Sequence, residues 1–374
     1  MKKDTVYKTK CSSDTLFVAK ARALQNEYRK AHYEHDDSWA CGPGPYPTSK
    51  TYYGNMLLNG EKTGNNFLCT DTFEYAKRRI AHKRKNETIS AYRLFCNMLS
   101  SQPMAFNLFH PMMLMLLEES TKVILGKAFR KALPKLDIKE VYSIDLEYIP
   151  TKSEDYLGDK TAMDAVIRFI DSKGDRNFIA VETKYTDNLG KNEASQEHVR
   201  YRARQLMEAL GQFAKIPSTY SQLYRNYLLA ENIRMKGDEW GPYKDCYTWI
   251  LAPESHPSTQ REISVLINHL KPEYNYKVKM LEGISLEQFT EVLTQDPDMP
   301  SKYHTIFEEF RKRYLKGLSY VDEVGEFQNS IKPKGNRLST QYSERKINLK
   351  RANPQDTERK MDEYLSSYGE EGKQ

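Results

Sequence analysis

Residues 164–185 decide the fold of this chain. They read Asp164-Ala-Val-Ile-Arg-Phe-Ile-Asp171, then Ser172-Lys-Gly-Asp-Arg-Asn177, then Phe178-Ile-Ala-Val-Glu-Thr-Lys-Tyr185. The first and third segments are rich in β-branched and aromatic residues, which favours β-strands. The polar segment between them contains Gly174-Asp175, which suits a hairpin turn. We therefore expect two antiparallel strands, with Asp164 at the open end of the hairpin.

Three charged side chains are expected at that open end. Glu182 and Lys184 are two residues apart, so they project from the same face of their strand. Asp164 begins the neighbouring strand and reaches this face if the hairpin is in register. Two carboxylates beside a lysine form a site for a divalent cation, whereas an ordinary charge pair on a surface hairpin is the alternative interpretation.

Magnesium is the cation that this group of residues suits. Mg²⁺ prefers oxygen ligands and often binds one or two carboxylates together with water and a substrate phosphate. Asp164 and Glu182 provide the carboxylates, and the backbone carbonyl of Thr183 is a further candidate ligand. Lys184 is suited to position or deprotonate a water, or to stabilise a phosphoryl transition state. We expect Mg²⁺ as the cofactor, with Mn²⁺ able to substitute.

The composition indicates a cytoplasmic protein without a membrane segment. The 374 residues suffice for a full core, and the net charge of +6 is compatible with a polyanionic partner without establishing one. The five cysteines form no CxxC pair, which argues against a zinc site or a disulfide framework. The chain begins without the apolar segment of a signal peptide, and its longest apolar run, residues 112–117, is too short to span a bilayer.

Three regions are predicted along the chain. Residues 1–100 are mainly helical, with a Gly- and Pro-rich loop region at 36–66. Residues 101–325 contain the strands and further helices, including one buried helix from Pro111 to Leu133. Residues 326–374 contain few apolar residues, which predicts a disordered tail.

The order of the predicted elements indicates a mixed α/β sheet. Residues 141–148 alternate in the manner of a strand before the hairpin, and two helices, at 193–213 and 218–232, follow it. A compact strand comes next, at 246–253. Helix, three strands, helices and a strand predict a sheet with helices on its faces.

The spacing of Asp164 and Glu182-Thr183-Lys184 resembles the motif of the PD-(D/E)XK nuclease superfamily. A closer resemblance is to its bacterial restriction-endonuclease-like members, through Leu99-Ser-Ser-Gln-Pro-Met-Ala-Phe-Asn-Leu-Phe109 and Glu147-Tyr-Ile-Pro150. Met163 departs from the proline of the superfamily name, a position that varies among members. The resemblance implies a restriction-endonuclease-like core, a four-stranded αβββαβ arrangement, behind an N-terminal mainly helical extension.

The resemblance also implies roles for individual residues. Asp164, Glu182 and Lys184 would form the active site, with Glu147 as an additional acid. Many members carry a carboxylate on the first core helix, for which Glu118 and Glu119 are the candidates.

Further residues are candidates for a supporting role. Asp159 and Asp187 are near the motif, while Gln222 and Arg225 are candidates for contact with a substrate phosphate, against the alternative of solvated helix positions. A basic cluster suits contact with a nucleic-acid backbone, although a solvated helix face is the simpler alternative. Its members are Lys77, Arg78, Arg79, Lys83, Arg84 and Lys85. Residues 311–313 form a second, weaker basic cluster.

Two classes of function stay open. The first is a Mg²⁺-dependent endonuclease that hydrolyses DNA, in restriction or phage defence. The second is a catalytically silent DNA-binding or assembly protein with a nuclease fold, and a nuclease for RNA or structured DNA is a further alternative. The intact set of Asp164, Glu182 and Lys184 favours activity. Cleavage of both DNA strands needs two active sites, so we expect a homodimer on DNA.

Overall fold

The computed structural model of the protein describes residues 6–84, 87–158, 161–187, 197–218 and 220–318. The strands in these ranges are β1 (Cys41–Pro43), β2 (Tyr52–Leu57), β3 (Glu140–Tyr148), β4 (Met163–Ile170), β5 (Arg176–Thr183) and β6 (Asp245–Leu251). The helices are α1 (Leu16–Tyr33), α2 (Gly60–Thr63), α3 (Thr70–Ala81), α4 (Ala91–Cys96), α5 (Ser101–Met115), α6 (Glu119–Ala132), α7 (Glu197–Leu210), α8 (Gln222–Lys236), α9 (Thr259–His269), α10 (Tyr276–Lys279), α11 (Leu286–Thr294) and α12 (Ser301–Tyr314).

The strands β3 to β6 form the central sheet in chain order. The pairs β3–β4 and β4–β5 are antiparallel, whereas β5 and β6 run parallel. A parallel pair needs a long crossover connection, and α7 and α8 lie in the connection between β5 and β6. The predicted mixed four-stranded sheet flanked by helices is therefore confirmed.

The turn between β4 and β5 sets the register of the hairpin. Gly174 has a φ of 86°, a backbone conformation that glycine adopts without steric cost. The Asp171 carboxylate accepts hydrogen bonds from the amides of Lys173 and Asp175 and so closes the turn. Because side chains alternate along a strand, a shift by one residue would move every buried side chain of the hairpin to the other face.

Apolar side chains cover both faces of the sheet. Ile167 and Ile179 face a core that includes α5, α6, α11 and α12. Val166 and Ala180 face a second core, to which α7, α8 and α9 contribute. Burial on both faces explains why the hairpin strands are almost continuously apolar. The open end of the hairpin consequently lies between two helical layers, each of which can supply polar groups to it.

The apolar stretch before the sheet forms two helices, so the single helix predicted from Pro111 was wrong. Ser100 caps α5 by accepting a hydrogen bond from the Gln102 amide, which starts the helix ten residues earlier. Pro111 lies inside α5. The helical conformation is interrupted between α5 and α6, where the Thr121 hydroxyl donates to the Met115 carbonyl at 2.7 Å.

The N-terminal part differs from its prediction in one respect, because the stretch 36–66 contains a small sheet as well as loops. Strands β1 and β2 pair antiparallel within it. Phe95 and Phe106 lie on either side of the predicted boundary at residue 100 but belong to the same apolar core. The three-region division stays a prediction, and its tail at 326–374 lies outside the described residues. Within the described ranges, no helix has the length and apolar character needed to cross a membrane.

Arg313 joins three distant segments of the chain. Its guanidinium is buried and donates to the Gln25 side chain of α1 at 3.2 Å and to the Asn66 carbonyl at 3.0 Å. The ring of Tyr28 lies 5.4 Å from it. Since it is buried, Arg313 is not available to a nucleic acid, although residues 311–313 read as a basic cluster.

We expect Arg313→Ala to destabilise the fold. Hydrogen bonds from a charged group contribute about 1.5–3 kcal/mol each, so the loss should lower the free energy of unfolding by at least about 3 kcal/mol. Urea denaturation followed by circular dichroism measures it. Lys312→Ala is the matched control, since that side chain is half exposed and forms a surface ion pair with Glu309. If both substitutions lowered the free energy of unfolding equally, the structural role given to Arg313 would be contradicted.

Candidate active site at the open end of the sheet

The β4–β5 pairing brings Asp164 and Glu182 together. Ala165 pairs with Val181, so the preceding and following residues, Asp164 and Glu182, are opposite each other. Opposite residues of an antiparallel pair project to the same side of the sheet. The register condition that the sequence left open is therefore met.

Thr183 fixes the Asp164 carboxylate. Its backbone amide and its hydroxyl both donate to Asp164 Oδ2, each at 2.7 Å. Both bonds go to one oxygen, which leaves Oδ1 of Asp164 to face other partners. Thr183 is buried, and its carbonyl as a metal ligand stays a prediction.

The α8 helix supports Glu182 and Lys184 from one face. Lys184 Nζ lies 2.7 Å from Glu182 Oε1 and donates to Gln222 Oε1 at 3.0 Å. Asn226, one turn further along α8, donates to Glu182 Oε2 at 2.5 Å. Residues four apart share a helix face, which is why Gln222 and Asn226 both reach the site. Asn226 is not among the residues predicted from the sequence, although its spacing of four from Gln222 was a usable signal.

Glu147 approaches from β3 and is held from the opposite helical layer. The β3–β4 pairing on both sides of it places Glu147 opposite Asp164. Gln102 of α5 donates from Nε2 to Glu147 Oε1 at 2.8 Å, while Gln102 Oε1 accepts from the Ser90 amide at 3.2 Å. The Ser90 bond fixes which end of the Gln102 amide faces the acid. The three acids thus stand side by side on β3, β4 and β5.

The backbone of Glu147 is strained. Its φ is 50°, and among the described residues it is the only one other than glycine with a positive φ. Such conformations cost about 1–3 kcal/mol and persist only when the surroundings hold them. The Arg79 guanidinium, 3.5 Å from the Glu147 carbonyl, and the Gln102 bond to its carboxylate provide that support. The strained residue thus lies within the row of acids and is held at both its carbonyl and its carboxylate.

Burial and mutual repulsion perturb these acids. Desolvation, with repulsion from Asp164, raises the pKa of Glu147 to about 8. The same two causes raise the pKa of Glu182 to about 7, against the opposing effect of Lys184. Burial also raises the pKa of Asp164, which Lys184 and the Thr183 hydrogen bonds oppose. Burial works to lower the pKa of Lys184, but Glu182 and Asp164 outweigh it and the pKa is raised.

Other candidate acids lie elsewhere. Glu118 and Glu119 are exposed at the start of α6, and the Glu119 side chain is 82% exposed. Gln102, which holds Glu147, lies at the opposite end of the 15-residue helix α5 that precedes them. The structure does not bring either to the three aligned acids. Asp187 accepts from Ser101 at 3.1 Å beside the site, whereas Asp159 lies outside the described residues.

The basic cluster divides into partnered and exposed members. Arg84 donates to Glu87 at 2.9 Å and to the Ile149 carbonyl at 2.7 Å, and Arg79 also contacts Glu87. Arg78 and Lys83 are exposed, Lys77 is exposed beside Glu74, and Lys85 lies outside the described residues. Of the α8 candidates, Gln222 binds Lys184, and Arg225 donates to the Thr161 hydroxyl at 2.9 Å.

A second group of potential metal ligands is an ion-pair network. Glu231, Asp245 and Cys246 bring their ligand atoms within 4.8 Å of one another in the described part of the chain. The Lys277 ammonium lies between the two acids and forms an ion pair with each, at 2.9 Å from Glu231. A cation of the protein therefore occupies the position that a metal would take.

The aligned acids suit a divalent cation better. Glu182 Oε1 is buried without a hydrogen bond of good geometry, and its near neighbour is the Lys184 ammonium. Carboxylate oxygens are the ligands of Mg²⁺ and similar hard cations. Asp164 and Glu182 would hold the ion, with Glu147 beside them. The positive charge would offset the burial that raises the pKa of all three acids and the repulsion from Asp164 that adds to it at Glu147 and Glu182.

One comparison with known proteins gives a match. A family model described as the PD-(D/E)XK nuclease superfamily matches residues 12–316, which is most of the chain and includes all three aligned acids. No curated protein and no solved structure gives a match.

We expect the stability of the protein to depend on pH through these acids. The pKa values of Glu147 and Glu182 are raised above the value of about 4.3 for a free glutamate, so the folded protein holds protons that the unfolded chain has released. Without a divalent cation, the free energy of unfolding should therefore fall as the pH rises from about 5 to about 8. Mg²⁺ or Ca²⁺ should raise the melting temperature more at the upper end of this range.

Differential scanning fluorimetry across this pH range, with EDTA or with the cation, measures both effects. Glu147→Gln is the informative variant, because it removes one buried charge and should flatten the pH dependence. A cation effect of equal size at every pH, unchanged in the variant, would contradict the assignment of the acids.

Proposed function

The chain belongs to the PD-(D/E)XK nuclease superfamily, and from this premise we propose that it is a Mg²⁺-dependent endonuclease that hydrolyses phosphodiester bonds of DNA. One observation carries the proposal. Asp164 and Glu182 are opposite each other on neighbouring strands, with the Lys184 ammonium 2.7 Å from Glu182. Charges buried in this way indicate a functional role, because burying two carboxylates side by side destabilises the fold.

The residues of the site divide the work of hydrolysis. Bound Mg²⁺ supplies electrostatic shielding of the phosphoryl oxygens and acidifies water. Asp164 and Glu182 bind it, while Thr183 and Asn226 keep their carboxylates oriented. The raised pKa of Lys184 keeps it an ammonium at neutral pH, which favours stabilisation of the transition-state charge over proton removal. Gln222 holds this ammonium from α8.

Exposed basic residues and the cysteines indicate the partner and the compartment that we propose. Arg78 and Lys83 are exposed and suit contact with the DNA backbone. Cutting both strands needs a second active site, for which we propose a homodimer. The five cysteines lie in the described part of the chain and form no disulfide with one another, which agrees with a reducing cytoplasm. Restriction or phage defence is the biological role that we propose for such an enzyme.

Replacing the central residues should abolish cleavage without preventing binding. Asp164→Asn, Glu182→Gln and Lys184→Ala should each lower the cleavage rate by at least about a hundredfold, because each removes a charge that acts on the reacting phosphate. The cleavage rate of each protein is measured on plasmid, linear and single-stranded DNA and on RNA, with and without Mg²⁺. Fluorescence anisotropy in EDTA measures binding separately.

The hairpin itself offers matched controls. Lys173→Ala and Asp175→Asn make comparable changes at the opposite end of the same two strands and should leave cleavage unchanged. Cleavage that does not need a divalent cation, or full activity of the Asp164, Glu182 and Lys184 variants, would contradict the assignment of these residues as the active site. If the wild-type protein binds DNA but cleaves no substrate, the silent DNA-binding protein becomes the correct assignment.

The identity of the additional acid can be tested in the same assay. We expect Glu147→Gln to reduce cleavage strongly, because Glu147 stands beside Asp164 and contacts the same charged region. Glu118→Gln and Glu119→Gln should have the activity of the wild-type protein, since both side chains are exposed at the far end of α5. The opposite pattern would assign the role to α6.

A further inference from the structure

A cavity of about 350 Å³ opens beside Glu147. Its walls come from the C-terminal part of α3, the end of β3 and the loop that follows α8. Trp240 of that loop lines it, and so do Glu147 and Tyr148. The cavity therefore connects an exposed aromatic ring to one of the three aligned acids.

A buried arginine supports Trp240 from below. The Arg168 guanidinium lies 4.8 Å from the Trp240 ring and 4.7 Å from the Tyr148 ring, so it stands against both. Arg168 has no exposed surface and forms ion pairs with Asp145 and with Asp238, 3.4 Å away. These bonds fix the guanidinium, which gives Trp240 a rigid base.

The loop around Trp240 is also fixed. The Trp240 amide donates to Asp238 Oδ1 at 2.9 Å, and its carbonyl accepts from Arg176 at 2.7 Å. Trp240 is nevertheless 41% exposed. A large aromatic ring that is held on one side by a buried cation and exposed elsewhere has the form of a stacking platform.

The charges of the cavity favour a flat, uncharged group over a phosphate. The basic lining residues Arg79 and Arg84 are committed to Glu87 and to backbone carbonyls. Glu239, which directly precedes Trp240, also lines the cavity, and so does Asp145, whose charge is partly offset by its ion pair with Arg168. Acids beside the ring repel a phosphate but accept hydrogen bonds from the amino and imino groups of a nucleobase.

We propose that Trp240 stacks on an unpaired nucleobase of the substrate strand, next to the phosphodiester that the aligned acids receive. The proposal rests on the proposed function in taking the substrate to be a nucleic acid. A base can present a free face to the ring only if it is unpaired, extruded from a duplex or at a strand end. The protein therefore prefers substrates with single-stranded character at the cleavage site.

Binding in EDTA tests the stacking without cleavage. The probe is a labelled single-stranded oligonucleotide, compared with a series in which one abasic site moves along the strand. Trp240→Leu should weaken binding about tenfold, as expected for one base–aromatic stack, and Trp240→Phe should lose less. One abasic position should weaken binding to the wild-type protein by a similar factor and have no effect on the Trp240→Leu variant.

The controls separate stacking from folding and from catalysis. Tyr201→Ala removes an exposed ring of α7 that does not line the cavity and should leave affinity unchanged. Trp240→Phe keeps an aromatic cover on Arg168, so its affinity and melting temperature show whether a loss in Trp240→Leu comes from the lost ring or from unfolding. An abasic penalty that persists in Trp240→Leu, or equal affinity of all variants, overturns the proposal.

The proposed function can fail independently. Base-dependent binding through Trp240, without cleavage in Mg²⁺, would support the stacking and refute the nuclease. Metal-dependent cleavage with unchanged affinity in both Trp240 variants would support the nuclease and refute the stacking.

Discussion

Electrostatic repulsion among Glu147, Asp164 and Glu182 is the constraint that the structure around the site satisfies. Three carboxylates on neighbouring strands, shielded from water, would repel one another strongly in a medium of low dielectric constant. Lys184 offsets part of this repulsion, and hydrogen bonds from Thr183 to Asp164 stabilise the charged form further. The arrangement is stable only because the surrounding sheet and helices have other sources of stability, chiefly two apolar cores.

Each helical layer contributes one part of the polar support. The α5 layer provides Gln102, which is itself oriented by the Ser90 amide, and so controls Glu147. The α8 layer provides Gln222 and Asn226, which control Lys184 and Glu182. The two helices belong to opposite faces of the sheet, so the site can be assembled only when both layers have packed. Correct packing of the fold and correct positioning of the charged groups are thus the same event.

The sequence predicted the hairpin well because alternation, turn residues and the Glu-Thr-Lys spacing are all local signals. It could not reveal that Arg313 is buried or that Arg79 and Arg84 bind carbonyls and Glu87, because a basic residue reads as exposed until its distant partners are known. The start of α5 was misplaced because the first residue of a helix is a position that proline favours, whereas Ser100 is the N-cap and Pro111 lies inside the helix. The strained backbone of Glu147 had no sequence signal, since a glutamate rarely adopts a positive φ.

The raised pKa values of the buried acids also mean that the site binds protons near neutral pH. Near neutral pH the protein without a divalent cation retains protons on Glu147 and Glu182 that free glutamates would have lost. A cation that binds there must displace them, so cation uptake and proton release are coupled. The apparent affinity for the cation then rises with pH, and the heat of binding depends on the ionisation enthalpy of the buffer. Acidification of the surroundings would by itself return the site to its cation-free form.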